Sequence, residues 1–322
     1  MSLLQYVVKR TAHALFVIWA VATTVFFGLR AIPGDPVRQA LGIRASQGSV
    51  DAVRAELGLN EPLPIQYVEW LVDIITLDLG RSIVQSQQIM VMLQRSAPKT
   101  FSIGAVAILL GLAVAVPAGV ISATNKNRVP DYLATVVAFL GISMPAFFIG
   151  ILLIVVFGVW FNLLPIFGYT PLSEGVLPWF KSILLPATSV GLPYAAIVTR
   201  MMRSSLLEEL NRPYMKTARA KGLHPRVRLY KHAIQNALIP VVTVAGIQVA
   251  IILVGSVTVE VVFGIKGLGR LLVQSMLNHD YPVVQTVILL VASIMVFMNL
   301  IVDLSYTIID PRVRYDGESA EH

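Results

Sequence analysis

The stretch FSIGAVAILLGLAVAVPAGVIS, residues 101–122, contains no charged side chain. A bilayer core about 30 Å thick is crossed by roughly 20 apolar residues in an α-helix. The stretch has the length needed for such a crossing, and few polar groups interrupt it. It therefore predicts a transmembrane helix.

Five further apolar runs have a similar length and are found at residues 11–30, 133–158, 183–202, 241–262 and 283–309. The fourth run of the chain contains Pro186, Gly191 and Pro193, which predict a kinked or partly unwound helix. The first run is longer than the apolar region of a signal peptide, and IPGDP follows it in place of a small-residue cleavage site. We therefore expect six retained transmembrane helices.

The composition agrees with an all-α membrane protein. The 322 residues are 56% hydrophobic and only 13% charged, with a mean hydropathy of +0.74. Soluble domains carry about 25% charged residues, so a soluble chain of this size would lack much of its polar surface. No strand pattern and no internal repeat is evident.

Several classes of site are not expected. The chain has no cysteine, which excludes disulfides and thiolate ligands, and its five histidines show no HExxH spacing. No GxxxxGK[ST] motif is present, so ATP binding through a P-loop is excluded. The sequence shows no nucleophile–base pair of the kind that would indicate a membrane-bound enzyme. We expect no cofactor, no metal and no catalytic residue in this chain.

The basic residues predict the orientation in the membrane. With the N-terminus inside, the inner segments 1–10, 123–132, 200–240 and 310–322 hold 15 of the 25 lysines and arginines. Cytoplasmic loops carry such an excess, so both termini are expected to be cytoplasmic. The net charge of +7 would also suit a nucleic-acid binder, but topology accounts for it, and no nucleic-acid partner is expected.

The predicted outer segment contains short helices. In SVDAVRAELG, Ser49 is placed to cap a helix and Gly58 to end it. The next piece, EPLPIQYVEWLVDIITLDLG, begins with prolines suited to a first helical turn. Its apolar stripe is expected on the membrane surface or on the bundle and consists of Ile65, Val68, Leu71, Val72 and Ile75.

Residues 214–240, YMKTARAKGLHPRVRLYKHAIQNALIP, carry six lysines and arginines and no acid. Their pattern predicts a helix ended by Gly222 and a second helix that begins at Pro225 and runs into the fifth span. The segment could fix topology alone or bind anionic lipid headgroups. Its helical pattern and its excess of positive charge also indicate a docking surface.

The motifs ARAKG and HAIQNALIP in this segment resemble the cytoplasmic loop of permease subunits in binding-protein-dependent ABC importers. The closest resemblance is to the B-type subunit of the peptide/nickel branch. Further stretches resemble that subunit in the same order, namely IPGDPV, LGLNEPLPIQYVEWL, DLGRS, VEVVFGIKGLGRLLVQSMLNHDYPVVQ and NLIVDLSYTIIDPRVR. The chain departs from the family pattern at Lys216, Thr217 and Lys266.

The resemblance implies the type I ABC importer permease fold and a place in the inner (plasma) membrane. It divides the chain into an N-terminal transmembrane helix (1–32), an extracytoplasmic segment (33–99), a permease core (100–312) with a cytoplasmic coupling loop (203–238), and a tail (313–322). The implied partners are a second homologous permease, one or two P-loop ATPases that bind ATP, an extracytoplasmic substrate-binding protein and membrane lipid.

The resemblance also implies a role for the loop. In such importers a short coupling helix sits in a groove of the ATPase, and the implied contact residues are Ala218, Arg219, Ala220, Lys221, Gly222 and Leu223. The implied substrates are di- or oligopeptides, with nickel or another small solute as the alternative.

Two acidic residues near the span ends are further candidates. Glu260 is expected to serve in gating or partner docking, or to be a simple interfacial carboxylate. Asp303 is expected to have such a role or to form a salt bridge with a nearby loop arginine. An ion-coupled secondary transporter is the alternative from another class, but it predicts charges at mid-bilayer depth, and the spans lack charges at their centres.

Overall fold

The computed structural model describes residues 3–42 and 46–309. The α-helices in chain order are α1 (Leu3–Arg30), α2 (Pro36–Leu41), α3 (Gln47–Glu56), α4 (Leu63–Thr76), α5 (Ile89–Thr124), α6 (Val129–Ser143), α7 (Ala146–Leu153), α8 (Val176–Asn211), α9 (Pro213–Ala220), α10 (Pro225–Val227), α11 (Ile234–Val262), α12 (Leu268–Leu277) and α13 (Tyr281–Ile309). A π-helical turn, Ile154–Trp160, extends α7, and another, Arg228–Ala233, joins α10 to α11. The predicted tail 313–322 and the C-terminus lie outside the described residues.

Within residues 3–42 and 46–309, five helical segments are long and apolar enough to cross a membrane, and they belong to α1, α5, α8, α11 and α13. The apolar run predicted as the third span is not one straight helix. It forms two helical pieces, Val129–Ser143 and Ala146–Trp160, bent by 108°. Met144 between them is extended because Pro145 disfavours helical geometry in the residue before it. The count of six spans holds when this bent pair is taken as one.

The fourth predicted run forms the most enclosed span. Helix α8 continues through Pro186 and Pro193, so the expected partial unwinding is wrong. Most of its apolar window is buried inside the chain. Close packing by neighbouring helices supports proline within a membrane helix, and α8 has such neighbours in α5, α6, α7 and α11.

Helices α5 and α8 approach closely because small residues line their interface. A Cβ added at Gly119 of α5 would lie 2.6 Å from the Cβ of Met202 and 2.9 Å from the carbonyl oxygen of Thr199. The Thr199 hydroxyl in turn donates to the carbonyl of Ala115 across the interface (3.4 Å). This pair forms the centre of the bundle, with α6, α7 and α11 packed against α8, whereas α1 packs against α13.

The segment between α1 and α5 is anchored at two places. Tyr67 and Trp70 of α4 contact the ring of Phe26 in α1, with ring centroids 5.2 and 5.3 Å apart. Farther along, Asp280, which is buried, accepts hydrogen bonds from the Ser82 hydroxyl (2.5 Å) and the Ile83 amide (3.1 Å). The segment is therefore fastened to both the first and the last span.

The short helices of this segment agree with the sequence prediction except at one cap. Helix α3 is capped by Ser46, whose hydroxyl accepts from the amide of Ser49, so the prediction that Ser49 is the cap is wrong. Gly58 has a positive φ in the turn after α3, and proline occupies the first turn of α4 as predicted. The apolar stripe of α4 does not cover the bundle, since four of its members are exposed: Ile65, Val68, Val72 and Ile75.

We expect Gly119→Ala to lower the stability of the purified protein, because the added methyl group overlaps α8. Overpacking of this kind costs about 1–3 kcal/mol. Gly28→Ala in α1 is the matched control, since a Cβ there meets no atom within 4 Å. Thermal unfolding in detergent would compare the two variants with the wild type. An unfolding temperature for Gly119→Ala equal to that of Gly28→Ala would contradict the close approach.

Candidate functional site

Helix α9 lies between the ends of α8 and α11 and has two unlike faces. Pro213 occupies its first turn, where a missing amide hydrogen is tolerated. Met215 and Ala218 are buried against the rest of the chain, whereas Lys216 and Arg219 are exposed. The helix is therefore seated on the bundle by one face and presents basic side chains on the other.

The end of α9 is a Schellman motif centred on Gly222. The amide of Leu223 donates to the carbonyl of Ala218 (3.2 Å), and the amide of Gly222 donates to the carbonyl of Arg219 (3.0 Å). These are the two bonds of that motif, and it requires a left-handed residue. Gly222 has φ of +72°, which glycine adopts without a steric penalty. The predicted helix end at Gly222 and the predicted helix start at Pro225 are both present.

The six residues assigned to the contact surface do not all face outward. Ala218 is buried and faces the bundle, so it supports the bend and is not part of the exposed surface. Arg219, Ala220, Lys221 and Gly222 are exposed, and Leu223 is 38% exposed. Their contact with another protein stays a prediction.

A hydrogen-bond network that the sequence did not reveal fastens α9 to two spans. The Tyr214 hydroxyl donates to Glu209 at the end of α8 (2.6 Å) and accepts from the Asn236 amide group of α11 (3.1 Å). Arg212 forms a salt bridge with the same Glu209 carboxylate (2.9 Å). Burial raises the pKa of the Tyr214 phenol, and its hydrogen bond to Glu209 raises it further. The phenol is thus held in its protonated, donating form.

A second buried carboxylate lies at the same end of the bundle. Asp131, at the start of α6, forms a bidentate salt bridge with Arg203 of α8, at 2.7 and 2.8 Å. It also accepts from the Ser122 hydroxyl (2.5 Å) and the Asn127 amide (2.9 Å). The short loop between α5 and α6 is therefore fixed to α8, the helix that carries α9. An acid directly after Pro130 in a short basic loop was the only sequence signal.

Glu260 is buried at the opposite end, with 0% of its surface exposed. It accepts hydrogen bonds from the Thr100 hydroxyl (2.5 Å) and the Arg270 amide (3.0 Å). The Thr100 oxygen accepts from the Leu268 amide (2.8 Å). Together the two side chains satisfy amides in the first turn of α12, where a helix leaves its amides unpaired and favours negative charge.

The glycines around α12 are explained by this contact. A Cβ at Gly267 would overlap the Glu260 carboxyl group, and one at Gly269 would lie 2.5 Å from the Cα of Val257. Glu260 is therefore not a solvated interfacial carboxylate, and its side chain offers no exposed surface to a partner. A gating role stays a prediction.

Asp303 pairs with a helix rather than with a loop. The guanidinium of Arg10 in α1 lies 2.7 Å from the Asp303 carboxylate in α13, and both side chains are partly exposed. The salt-bridge partner of Asp303 is therefore an arginine of α1 and not the loop arginine that was expected. The pair joins the first and last spans near the end of the bundle that carries α9, and a gating or docking role for Asp303 stays a prediction.

We expect Tyr214→Phe to loosen α9, because the variant removes every hydrogen bond of the phenol, including a long one to the carbonyl of His232 (3.5 Å). A lost hydrogen bond costs about 1 kcal/mol. Hydrogen exchange measured by mass spectrometry would report faster exchange over residues 213–223. Tyr230→Phe is the matched control, since Tyr230 is exposed in the same region. Equal exchange in the two variants would show that the network does not hold α9.

We expect Glu260→Gln to open the turn before α12. The glutamine side chain lacks the negative charge that favours the start of α12, and its NH2 group would face the donors of Thr100 and Arg270. A buried hydrogen bond to a charged group contributes about 1.5–3 kcal/mol. Limited trypsin digestion would then cleave faster at Lys266 and Arg270. The control is Glu174→Gln, an exposed glutamate. Unchanged cleavage in Glu260→Gln would refute the capping role.

Comparison with known families gives two matches along the chain. Residues 115–315 match the family described as "Binding-protein-dependent transport system inner membrane component". Residues 3–104 match the N-terminal family of the same transport-system membrane components. The first match alone covers more than half of the chain. The domain boundaries given by the resemblance stay a prediction.

Curated relatives match over nearly their whole length. A probable peptide ABC transporter permease protein of Sinorhizobium fredii is 39% identical, covering 96% of this chain and 99% of the relative. A putative peptide transport system permease protein of Brucella abortus is 38% identical, covering 96% and 99%. A glutathione transport system permease protein of Pectobacterium atrosepticum is 38% identical, covering 97% and 100%.

Among solved structures, the fold is similar to a chain of the MetNI methionine ABC transporter in an inward-facing conformation. The TM-score is 0.57 at 19% identity, and the match covers 70% of this chain and 99% of that chain. At this identity the likeness concerns the fold alone. The fold expected from the sequence resemblance is thereby confirmed.

Proposed function

Because the chain belongs to the family of inner membrane components of binding-protein-dependent transport systems, we propose that it forms half of a translocation pathway driven by cytoplasmic ATPases through residues 214–240. The chain is a permease subunit of an ABC importer and a multi-pass protein of the inner membrane. This membership contradicts the alternative of an ion-coupled secondary transporter.

The proposed coupling is supported by the anchoring of α9. Its buried face and the network of Tyr214 with Glu209 and Asn236 fix it to α8 and α11. Its other end exposes Arg219, Lys221 and a partly exposed Leu223. A displacement of a docked partner would therefore move the ends of two spans together. This combination of a fixed base and an exposed basic tip is the observation that carries the proposal.

The proposed complex contains this chain and three other kinds of protein. A second homologous permease completes the pathway, one or two P-loop ATPases bind and hydrolyse ATP, and an extracytoplasmic binding protein delivers the solute. This chain itself has no P-loop motif, and we assign it neither a cofactor nor a catalytic residue.

The proposed substrates are di- or oligopeptides. The support is that relatives similar over nearly their full length are named for peptide and glutathione transport. Nickel or another small solute is the alternative within the same importer role. Uptake of labelled dipeptides against labelled nickel, in cells with and without this chain, separates the two.

We expect Gly222→Val to abolish substrate-stimulated ATP hydrolysis by the reconstituted complex. A β-branched residue is strained at the positive φ of Gly222, and such strain costs about 1–3 kcal/mol. Gly222→Asn is the control, because asparagine tolerates this conformation. ATPase activity with and without binding protein and substrate would be measured, together with the subunits that copurify. Full stimulation in Gly222→Val, or a wild-type chain that copurifies with no ATPase, would refute the proposal.

A further inference from the structure

A cavity of about 430 Å³ lies where the 31–88 segment meets the ends of α1 and α13. This volume falls in the range of small-molecule sites. Its walls come from four helices, α1, α3, α4 and α13, and from the turns beside them. They include Arg30, Gln66, Glu69, Trp70, Asp73 and Gln285. None of these residues belongs to α9 or to the α12 turn, so the cavity is separate from those two sites.

Arg30 brings a cation into this cavity without a matching carboxylate. Its guanidinium stacks over the ring of Phe26 at 3.4 Å, and its Nε donates to the Gln66 side chain (3.2 Å). Gln66 is held in turn by the carbonyl of Glu61 (2.7 Å). Among the residues that the structure describes, no acid forms a salt bridge with Arg30. A partly desolvated cation in this position favours an anion.

Gln285 supplies a second donor that lacks an acceptor. The residue lines the same cavity and is only 5% exposed. Its Nε2 is buried and has no hydrogen-bond partner within the described ranges. A buried donor left unpaired is costly. Arg30 and Gln285 thus both favour a ligand whose oxygens accept hydrogen bonds. A phosphate group provides several such oxygens.

The acidic residues of the lining favour a cation instead. The wall contains four carboxylates and two guanidiniums, so a ligand that is only anionic would meet excess negative charge. Although Asp73 is exposed, partial desolvation raises the pKa of its carboxyl group, and the neighbouring charge of Asp78 raises it further. An ammonium group near Asp73 would offset that repulsion. The cavity therefore suits a molecule that carries both an anion and an ammonium.

The surroundings of the cavity favour a lipid as the source of this molecule. The wall residues Trp70 and Asp73 belong to α4, whose apolar stripe is exposed and faces away from the bundle. A helix with such a face lies along a membrane interface, and tryptophan is enriched at headgroup depth. The cavity would thus open beside the headgroups of one leaflet, which the charge distribution predicts to be the outer one.

We propose that this cavity binds the headgroup of a zwitterionic aminophospholipid. The phosphate accepts hydrogen bonds from Arg30 and Gln285, and the ammonium lies by Asp73 and Glu69. The bound lipid ties the 31–88 segment to the first and last spans. This assignment depends on the membrane setting alone and not on which solute is transported.

The test uses the full chain in its purified complex, in nanodiscs that contain equal amounts of phosphatidylethanolamine and phosphatidylglycerol. Native mass spectrometry after mild detergent extraction counts the lipids that stay bound. We expect the wild type to retain phosphatidylethanolamine and Arg30→Gln to retain about tenfold less, the effect of one charge-assisted hydrogen bond. Arg95→Gln, which removes an exposed arginine outside the cavity, should match the wild type.

Asp73→Asn tests the ammonium contact in a variant that should fold, because Asp73 is exposed. We expect it to lose the preference for phosphatidylethanolamine over phosphatidylglycerol. If Arg30→Gln fails to fold, Asp73→Asn alone tests the lipid proposal. Equal retention of the two lipids by the wild type, or an unchanged preference in Asp73→Asn, would overturn the proposal. Displacement of the bound lipid by a free zwitterionic dipeptide at micromolar concentration would also overturn it, in favour of a solute site.

Discussion

Buried carboxylates accept the hydrogen bonds of loops and helix starts at both ends of the bundle, and the placement of the connecting segments depends on them. Asp131 and Glu209 do so at the end that carries α9, and Glu260 and Asp280 at the other. The bilayer core offers no water to unpaired backbone groups. Asp131, Glu260 and Asp280 therefore each pair a backbone amide that would otherwise be costly to bury. Glu209 instead accepts from the Tyr214 hydroxyl and so fastens α9 to α8.

The regular parts of the fold follow from local sequence signals. Long apolar runs located the spans, and the bend at Gly222 was evident because a helix former is followed by glycine and then by His224–Pro225. These features depend on neighbours within a few residues along the chain, so a single sequence contains them. The exposed tip of α9 follows from the same pattern.

The carboxylate contacts could not be predicted, because each joins residues far apart in the sequence. Glu260 was expected either to serve in gating or partner docking or to be an interfacial carboxylate, and its enclosure by Thr100 and the α12 turn was not foreseen. Two features that were predicted wrongly depend on prolines, which act on their neighbours in the sequence. The break at Met144 follows from Pro145, yet the prolines of α8 cause no unwinding, because α8 is enclosed by other helices while α6 exposes most of its apolar side chains. Proline therefore has opposite outcomes in the two places, and packing decides between them.

The continuity of α8 has a mechanical consequence. Its 36 residues make a rod about 54 Å long, far more than the roughly 30 Å of the hydrocarbon layer. Its helical geometry is uninterrupted from Val176 to Asn211, at the base of α9. A rotation of about 5° around one end would shift the other end by about 5 Å at this length. Any tilt of α8 at one end would therefore be enlarged at the other end in proportion to its length.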